Sequence, residues 1–122
     1  MSTWLYDEHG VPRMRLIYDG RILDIEDNLV GWVVISDGAV YTNSCEHIGW
    51  FKNGLLRDND GWVVAFTEDA SDPDMPGLPD RMISPKIADP VSNSERPNFP
   101  SPSSPPEPYA LWSGTPLERF FD

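Results

Sequence analysis

Ile48-Gly49-Trp50-Phe51-Lys52-Asn53-Gly54-Leu55-Leu56-Arg57-Asp58-Asn59-Asp60-Gly61-Trp62-Val63-Val64 decides the reading of this chain. Runs rich in β-branched, aromatic and aliphatic residues are cut by Asn53-Gly54 and Asp60-Gly61. Such dipeptides readily supply the positive φ of type I′ turns, and between β-rich runs they signal hairpins. The stretch also has echoes upstream. Val30-Gly31-Trp32 matches Ile48-Gly49-Trp50 at a spacing of 18, and Trp62-Val63-Val64 repeats Trp32-Val33-Val34.

Working outward, residues 4–68 divide into four pieces, opening at Trp4, Gly20, Gly38 and Gly54. Each gives a short strand, a polar turn and a second strand that is often aromatic. Asp19-Gly20 and Asp37-Gly38 complete the set of turn dipeptides. A short repeat that cannot bury its own apolar face packs on its neighbours, so four units suggest radial closure. A plain antiparallel meander with coincidental similarity is the alternative. The fold class is therefore all-β: a pseudo-four-fold repeat of short β-hairpins, followed by a proline-rich, mostly irregular C-terminal tail.

The division is compositional. Twelve of the 13 prolines lie between Pro73 and Pro116. Proline has no backbone donor, so regular sheet or helix is not expected there. The organisation is a β-hairpin domain over 1–70, a proline-rich linker or tail over 71–108, and an aromatic docking segment over 109–122. Trp112, Leu117, Phe120 and Phe121 near the end are too apolar for a linker, since burying each is worth about 1.5–3 kcal/mol. They are expected to dock on their own core, a sister subunit or a partner.

Charge narrows the function. At 122 residues and a net charge of −11, the chain has no basic stripe to release counterions from a duplex. The single cysteine, Cys45, gives no internal disulfide. No signal-peptide pattern opens the sequence and no apolar run could span a bilayer, so the expectation is a cytoplasmic protein, in the host cytoplasm if phage-encoded.

At these residues the sequence resembles the four-fold β-flower domain family. The resemblance rests on Tyr6-Asp7-Glu8-His9-Gly10, on the glycine-led hairpins, and on the segment from Ile48 to Gly61. Phe66-Thr67-Glu68-Asp69-Ala70 looks like the family's end of the domain, and a proline-rich tail closing in Trp112 and Phe120-Phe121 is similar too. It covers residues 3–70 well and the last dozen loosely. It implies hairpins in pseudo-four-fold array in a bacterial and phage-associated family, and no catalytic residues. Pro12, interrupting the second strand, and the acidic balance depart from the family pattern.

Candidate chemistry is sparse. Cys45-Glu46-His47 puts a thiol and an imidazole on one strand face, but zinc needs about four ligands and His9 is the only other histidine. Asp58-Asn59-Asp60-Gly61 begins like a calcium loop, yet Asp69 stands where a glutamate is needed. Both read as hairpin turns. No glycine-rich phosphate loop, serine elbow or carboxylate pair is selected, so no catalytic residue, metal or cofactor is assigned.

Aromatics and cations carry the remaining signal. Trp32, Trp50 and Trp62 stand at corresponding places in the pieces, with Tyr41 between, and can stack on a planar ring as well as build core. Arg21, Arg57 and Lys52 can recognise phosphate or carboxylate. These seven are the candidate ligand-binding residues. The expected function is a non-enzymatic small-molecule binder and homo-oligomer, in its concrete form a phage anti-defence sponge for a nucleotide-type immune signal. The alternative is a protein–protein interaction module or inhibitor acting through its acidic surface or aromatic tail.

Overall fold

The computed structural model describes residues 2–90 and 96–122. Eight antiparallel strands follow one another: β1 (Ser2–Tyr6), β2 (Pro12–Ile17), β3 (Arg21–Asp24), β4 (Leu29–Val33), β5 (Ala39–Thr42), β6 (His47–Lys52), β7 (Leu55–Asp58) and β8 (Val63–Phe66). Each pairs with the next and β8 returns to β1, closing a barrel. The closing seam is thin, with Tyr6 opposite Phe66 as its registered pair. One short helix, α1 (Leu117–Phe120), lies at the C-terminal end.

Four connections at one end of the barrel share a pattern. In each, the N–H of the first residue donates to the carbonyl four residues on: Asp7 to Val11, Asp24 to Asn28, Thr42 to Glu46 and Asp58 to Trp62. The side-chain oxygen of that first residue in turn accepts the N–H four residues on, in all four turns. Asp and Thr suit this place because a short side-chain acceptor folds back on its own turn. A residue of positive φ follows: Gly10, Asp27, Cys45 and Gly61. Each of these hairpins also carries a register shift, at Leu5/Tyr6, Ile22/Leu23, Val40/Tyr41 and Leu56/Arg57.

At the other end, Gly20, Gly38 and Gly54 take positive φ. Their carbonyls accept the N–H groups of Val33, Phe51 and Thr67. The expectation of type I′ geometry at every dipeptide is corrected here. Only Asn53-Gly54 has positive φ at both residues; Asp19, Asp37 and Asp60 keep negative φ. The physical reason is that one left-handed glycine suffices to turn these chains when aspartate caps the next N–H groups, as Asp19 does for Arg21 and Asp37 for Ala39. Pro12 does not break β2. It is the first residue of that strand, a position that tolerates a missing donor.

Strand alternation, interrupted at the Val64 bulge, places Leu5, Met14, Leu16, Ile22, Val33, Val40, Leu56, Val64 and Ala65 in one buried cluster. Leu117 and Phe120 of α1 complete that cluster, with Phe121 beside them. The barrel is therefore filled partly from its own C-terminus. Gly31 and Gly49 explain how. A β-carbon on Gly31 would come within 2.6 Å of the Phe121 ring, and one on Gly49 within 3.0 Å of Phe120 Cζ. The glycine shared by Val30-Gly31-Trp32 and Ile48-Gly49-Trp50 leaves space for the terminal phenylalanines.

Residues 71–90 and 96–111 contain no helix or strand, yet they lie against the barrel. Met82 N–H donates to the Gly10 carbonyl and Tyr109 N–H to that of Gly61. The chain crosses closely at both turns: a β-carbon at Gly10 would strike the Asp80 carbonyl, and one at Gly61 that of Glu107. Trp112 bridges to Val63 and packs edge-on against Phe66, with ring centroids 6.1 Å apart. Trp4, Ala70, Met75, Leu78 and Trp112 together cover Tyr6, Leu55, Val63 and Phe66, the outer side of the thin seam.

Candidate functional site

The outer surface of β3–β7 carries a band of aromatic and cationic side chains set by the register. Arg21 stands opposite Trp32, Trp32 opposite Tyr41, and Tyr41 opposite His47. Trp50, directly after Gly49 on β6, stands opposite Arg57. Period-two alternation puts these residues outside because their neighbours Ile22, Gly31, Val40, Gly49 and Leu56 point inward. The rings form a chain of contacts: Tyr41 to His47 at 5.3 Å and His47 to Trp50 at 5.0 Å between centroids.

A residue from the proline-rich segment lies on this band. Phe99 stacks on Tyr41 with centroids 4.4 Å apart and planes 17° from parallel. It also meets Trp32 at 6.2 Å. The Arg96 guanidinium sits over the Phe99 ring at 5.8 Å. The Tyr41 hydroxyl donates to the Pro100 carbonyl at 2.6 Å, pinning the segment. Burial, with Asp37 nearby, pushes the Tyr41 phenol above its ordinary value. An open groove of about 490 Å³ runs along Val34, Asp37, Tyr41 and residues 96–102.

Two polar atoms in the band are buried without a partner among the described residues: His47 Nε2 and Trp50 Nε1. A buried donor left unmade costs about 1–3 kcal/mol, so such atoms mark a place where a ligand acceptor would be welcome.

The arginines are largely committed to structure. Arg57 donates to the carbonyls of Gly61 and Tyr109 through Nη1, at 2.8 Å each, and to that of Asp74 through Nη2 at 2.6 Å. Asp72 pairs with it at 3.7 Å. Burial lowers its pKa, and the surrounding aspartates counter that. Arg21 pairs with Asp19 at 2.8 Å. Arg15 is fully buried, pairing with Asp27 and donating to the carbonyls of Ile87 and Ala88 at 3.3 Å.

A family model described as "4-fold beta flower protein" matches residues 3–121. The chain belongs to the 4-fold beta flower family. No curated protein and no solved structure matches it. The family match runs through the proline-rich region to the terminal phenylalanines, beyond the stretch 3–70 on which the sequence resemblance chiefly rested.

In this β-flower protein, five of the seven candidate ligand residues fall in the one band: Arg21, Trp32, Tyr41, Trp50 and Arg57. Trp32 and Tyr41 are buried under Phe99, and Trp50 is half-buried. Lys52 ends β6, exposed, on the same strand face as Trp50 but outside the chain of ring contacts. Trp62 does not correspond to Trp32 and Trp50. It occupies the last place of the β7–β8 turn, where the other turns have Val11, Asn28 and Glu46. The residue on β8 that matches Trp32 and Trp50 in position is Phe66, which stacks on Tyr6 at 5.5 Å. The shared Trp-Val-Val letters misaligned the turn with the strand.

Of the docking-tail residues, Leu117 and Phe120 are buried in the barrel, Phe121 lies at its mouth against Gly31, and Trp112 covers the seam. All four are thus used within the chain. Sequence reasoning missed Phe99, Arg96 and the unpaired nitrogen of His47. An aromatic residue inside a proline run, Pro97-Asn98-Phe99-Pro100, was the available signal for the first two. Among the described residues no helix is long and apolar enough to cross a membrane.

Proposed function

We propose that this β-flower protein is a non-enzymatic binding protein that holds a planar, nucleotide-like small molecule on the aromatic band, in the seat that Phe99 fills in the free protein. The observation that carries this reading is the near-parallel Tyr41–Phe99 stack on a band whose next two rings, His47 and Trp50, each hold an unpaired nitrogen. A planar heterocycle entering there gains the stack on Tyr41, and its edge atoms accept from Trp50 Nε1 and pair with His47 Nε2. Arg96 supplies a cation for a phosphate or carboxylate on the same ligand.

The barrel itself reads as four related hairpins in pseudo-four-fold array, supported by the four matching turns and four register shifts. The band is then a local feature of the β3–β4 and β5–β6 hairpins and the adjoining β7, where Trp32 and Trp50 hold the place taken by Arg15 and Phe66 elsewhere. In its concrete form the function is sequestration, with a cytoplasmic protein working as a phage anti-defence sponge for a nucleotide immune signal, as a homo-oligomer and without turnover.

The test is native mass spectrometry of the full-length protein from its own host and from a host making cyclic-nucleotide or cyclic ADP-ribose signals. An added mass of several hundred daltons, released unchanged on denaturation, is the expected result. A bare protein mass from both hosts, or release of a cleaved ligand, would overturn the reading.

A further inference from the structure

A second surface lies on the other side of the molecule's sequence logic, where the β7–β8 turn meets residues 109–115. Trp62, Tyr109 and Leu111 are 39%, 46% and 57% exposed. Their placement is fixed by backbone bonds: Tyr109 N–H to the Gly61 carbonyl at 3.0 Å, Val63 N–H to that of Leu111 at 2.9 Å, and Ser113 N–H to that of Val63 at 2.7 Å. The chain bends at Ala110 and Leu111, leaving Tyr109 and Leu111 exposed while Trp112 turns in to the seam. The result is an open groove of about 620 Å³ with Asp58 and Asp60 along it and no basic side chain among its lining residues.

The carboxylates differ in availability. Asp58 is engaged by the N–H groups of Asp60 and Trp62 and by the Ser113 hydroxyl. Asp60 is exposed and its side chain makes none of these turn bonds. Over the whole chain 20 acidic side chains face nine basic ones. An anionic occupant would meet carboxylates and no cation. A neutral apolar one would leave Asp60 without use.

We propose that this groove docks a cationic segment of a partner protein, with an arginine side chain over Trp62 and Tyr109, its charge on Asp60 and a neighbouring apolar side chain on Leu111. Guanidinium groups stack on indole and phenol faces, and an acidic surface steers a basic partner toward them. This surface is independent of the aromatic band, so the two proposals stand or fall separately.

The probes are two blocked pentapeptides, Gly-Arg-Leu-Arg-Gly and the same peptide with citrulline, the uncharged isostere, for both arginines. Each is titrated into the full-length protein while the Trp62 indole N–H, assigned with Trp62→Phe, is followed by NMR. The expected result is a saturable shift with the arginine peptide, roughly fivefold or more weaker with citrulline. Asp60→Asn, an exposed and structurally silent change, weakens the arginine peptide and leaves the citrulline peptide unaffected. Equal binding of both peptides would mean a merely apolar groove and would overturn the proposal. Shifts mapping elsewhere, or none at millimolar peptide, would also overturn it.

Discussion

The barrel and the proline-rich segment obtain their order in opposite ways. Residues 2–66 are held by register: each strand's backbone is paired with its neighbours, and alternation sorts side chains inside and out. The described residues of 67–90 and 96–122 have almost no regular pairing of their own, and isolated in water such a proline-rich stretch stays largely unfolded. Their order comes from groups the barrel turns leave over, among them the carbonyls of Gly10 and Gly61 and the side chains of Arg15, Arg57 and Tyr41. The dependence also runs the other way. The barrel has a one-pair seam that Trp112 covers and an interior that Leu117 and Phe120 complete. The segment is part of the fold, as the family match through residue 121 also has it.

The comparison breaks most decisively on truncation. Ending the chain after Pro108 removes the seam cover and the plug together, and the remaining barrel loses cooperative thermal unfolding, followed by near-ultraviolet circular dichroism. A truncated chain with a sharp transition near that of the full protein would show that the barrel is self-sufficient. Next in size, Phe120→Ala empties part of the core and costs about 3–5 kcal/mol in denaturant unfolding. Arg57→Met is of similar scale, roughly 3 kcal/mol, because it leaves the carbonyls of Gly61, Tyr109 and Asp74 without their shared donor. Gly31→Ala forces a methyl against the Phe121 ring and the Tyr41 carbonyl and costs about 1–3 kcal/mol.

Acid tests the same division more gently. Burial raises the Asp7 pKa, but hydrogen bonds from Val11, Arg13 and His9 outweigh it and leave the carboxyl below its ordinary value of 3.8. Asp72 is lowered chiefly by the Asn53 side-chain bond and the Asp74 N–H. A depressed carboxyl stabilises the folded state above its unfolded pKa, and that contribution disappears as pH falls through the folded value. Stability is therefore expected to be flat in these groups near neutrality and to fall below about pH 4. Asp7→Asn removes part of that acid dependence, measured by urea unfolding at several pH values.

How much of this was legible differs between the regions for the same physical reason. Hairpins announce themselves locally, so the all-β class could be read from Gly20, Gly38, Asn53-Gly54 and the repeated Gly-Trp. The band was half legible: Trp32, Tyr41, Trp50, Arg21 and Arg57 were singled out, but whether a ring is free or covered depends on what lies over it. The cover is Phe99, 58 residues beyond Tyr41 in the chain, and no local pattern ties the two together. Trp62 shows the limit of letter matching. Its neighbours Val63 and Val64 repeat those of Trp32, but the hydrogen bond to Asp58 places it in a turn.

The central claim is that Phe99 holds the ligand's seat, and the most direct test removes it. Full-length protein and Phe99→Ala are titrated calorimetrically with the nucleotide recovered by native mass spectrometry or, failing recovery, with AMP and cyclic ADP-ribose. Because the ring competes with the ligand, the variant is expected to bind roughly tenfold more tightly at little cost in stability, and Tyr41→Leu in the same background to abolish the gain. Unchanged or weaker binding by Phe99→Ala, or binding indifferent to Tyr41, would contradict the account.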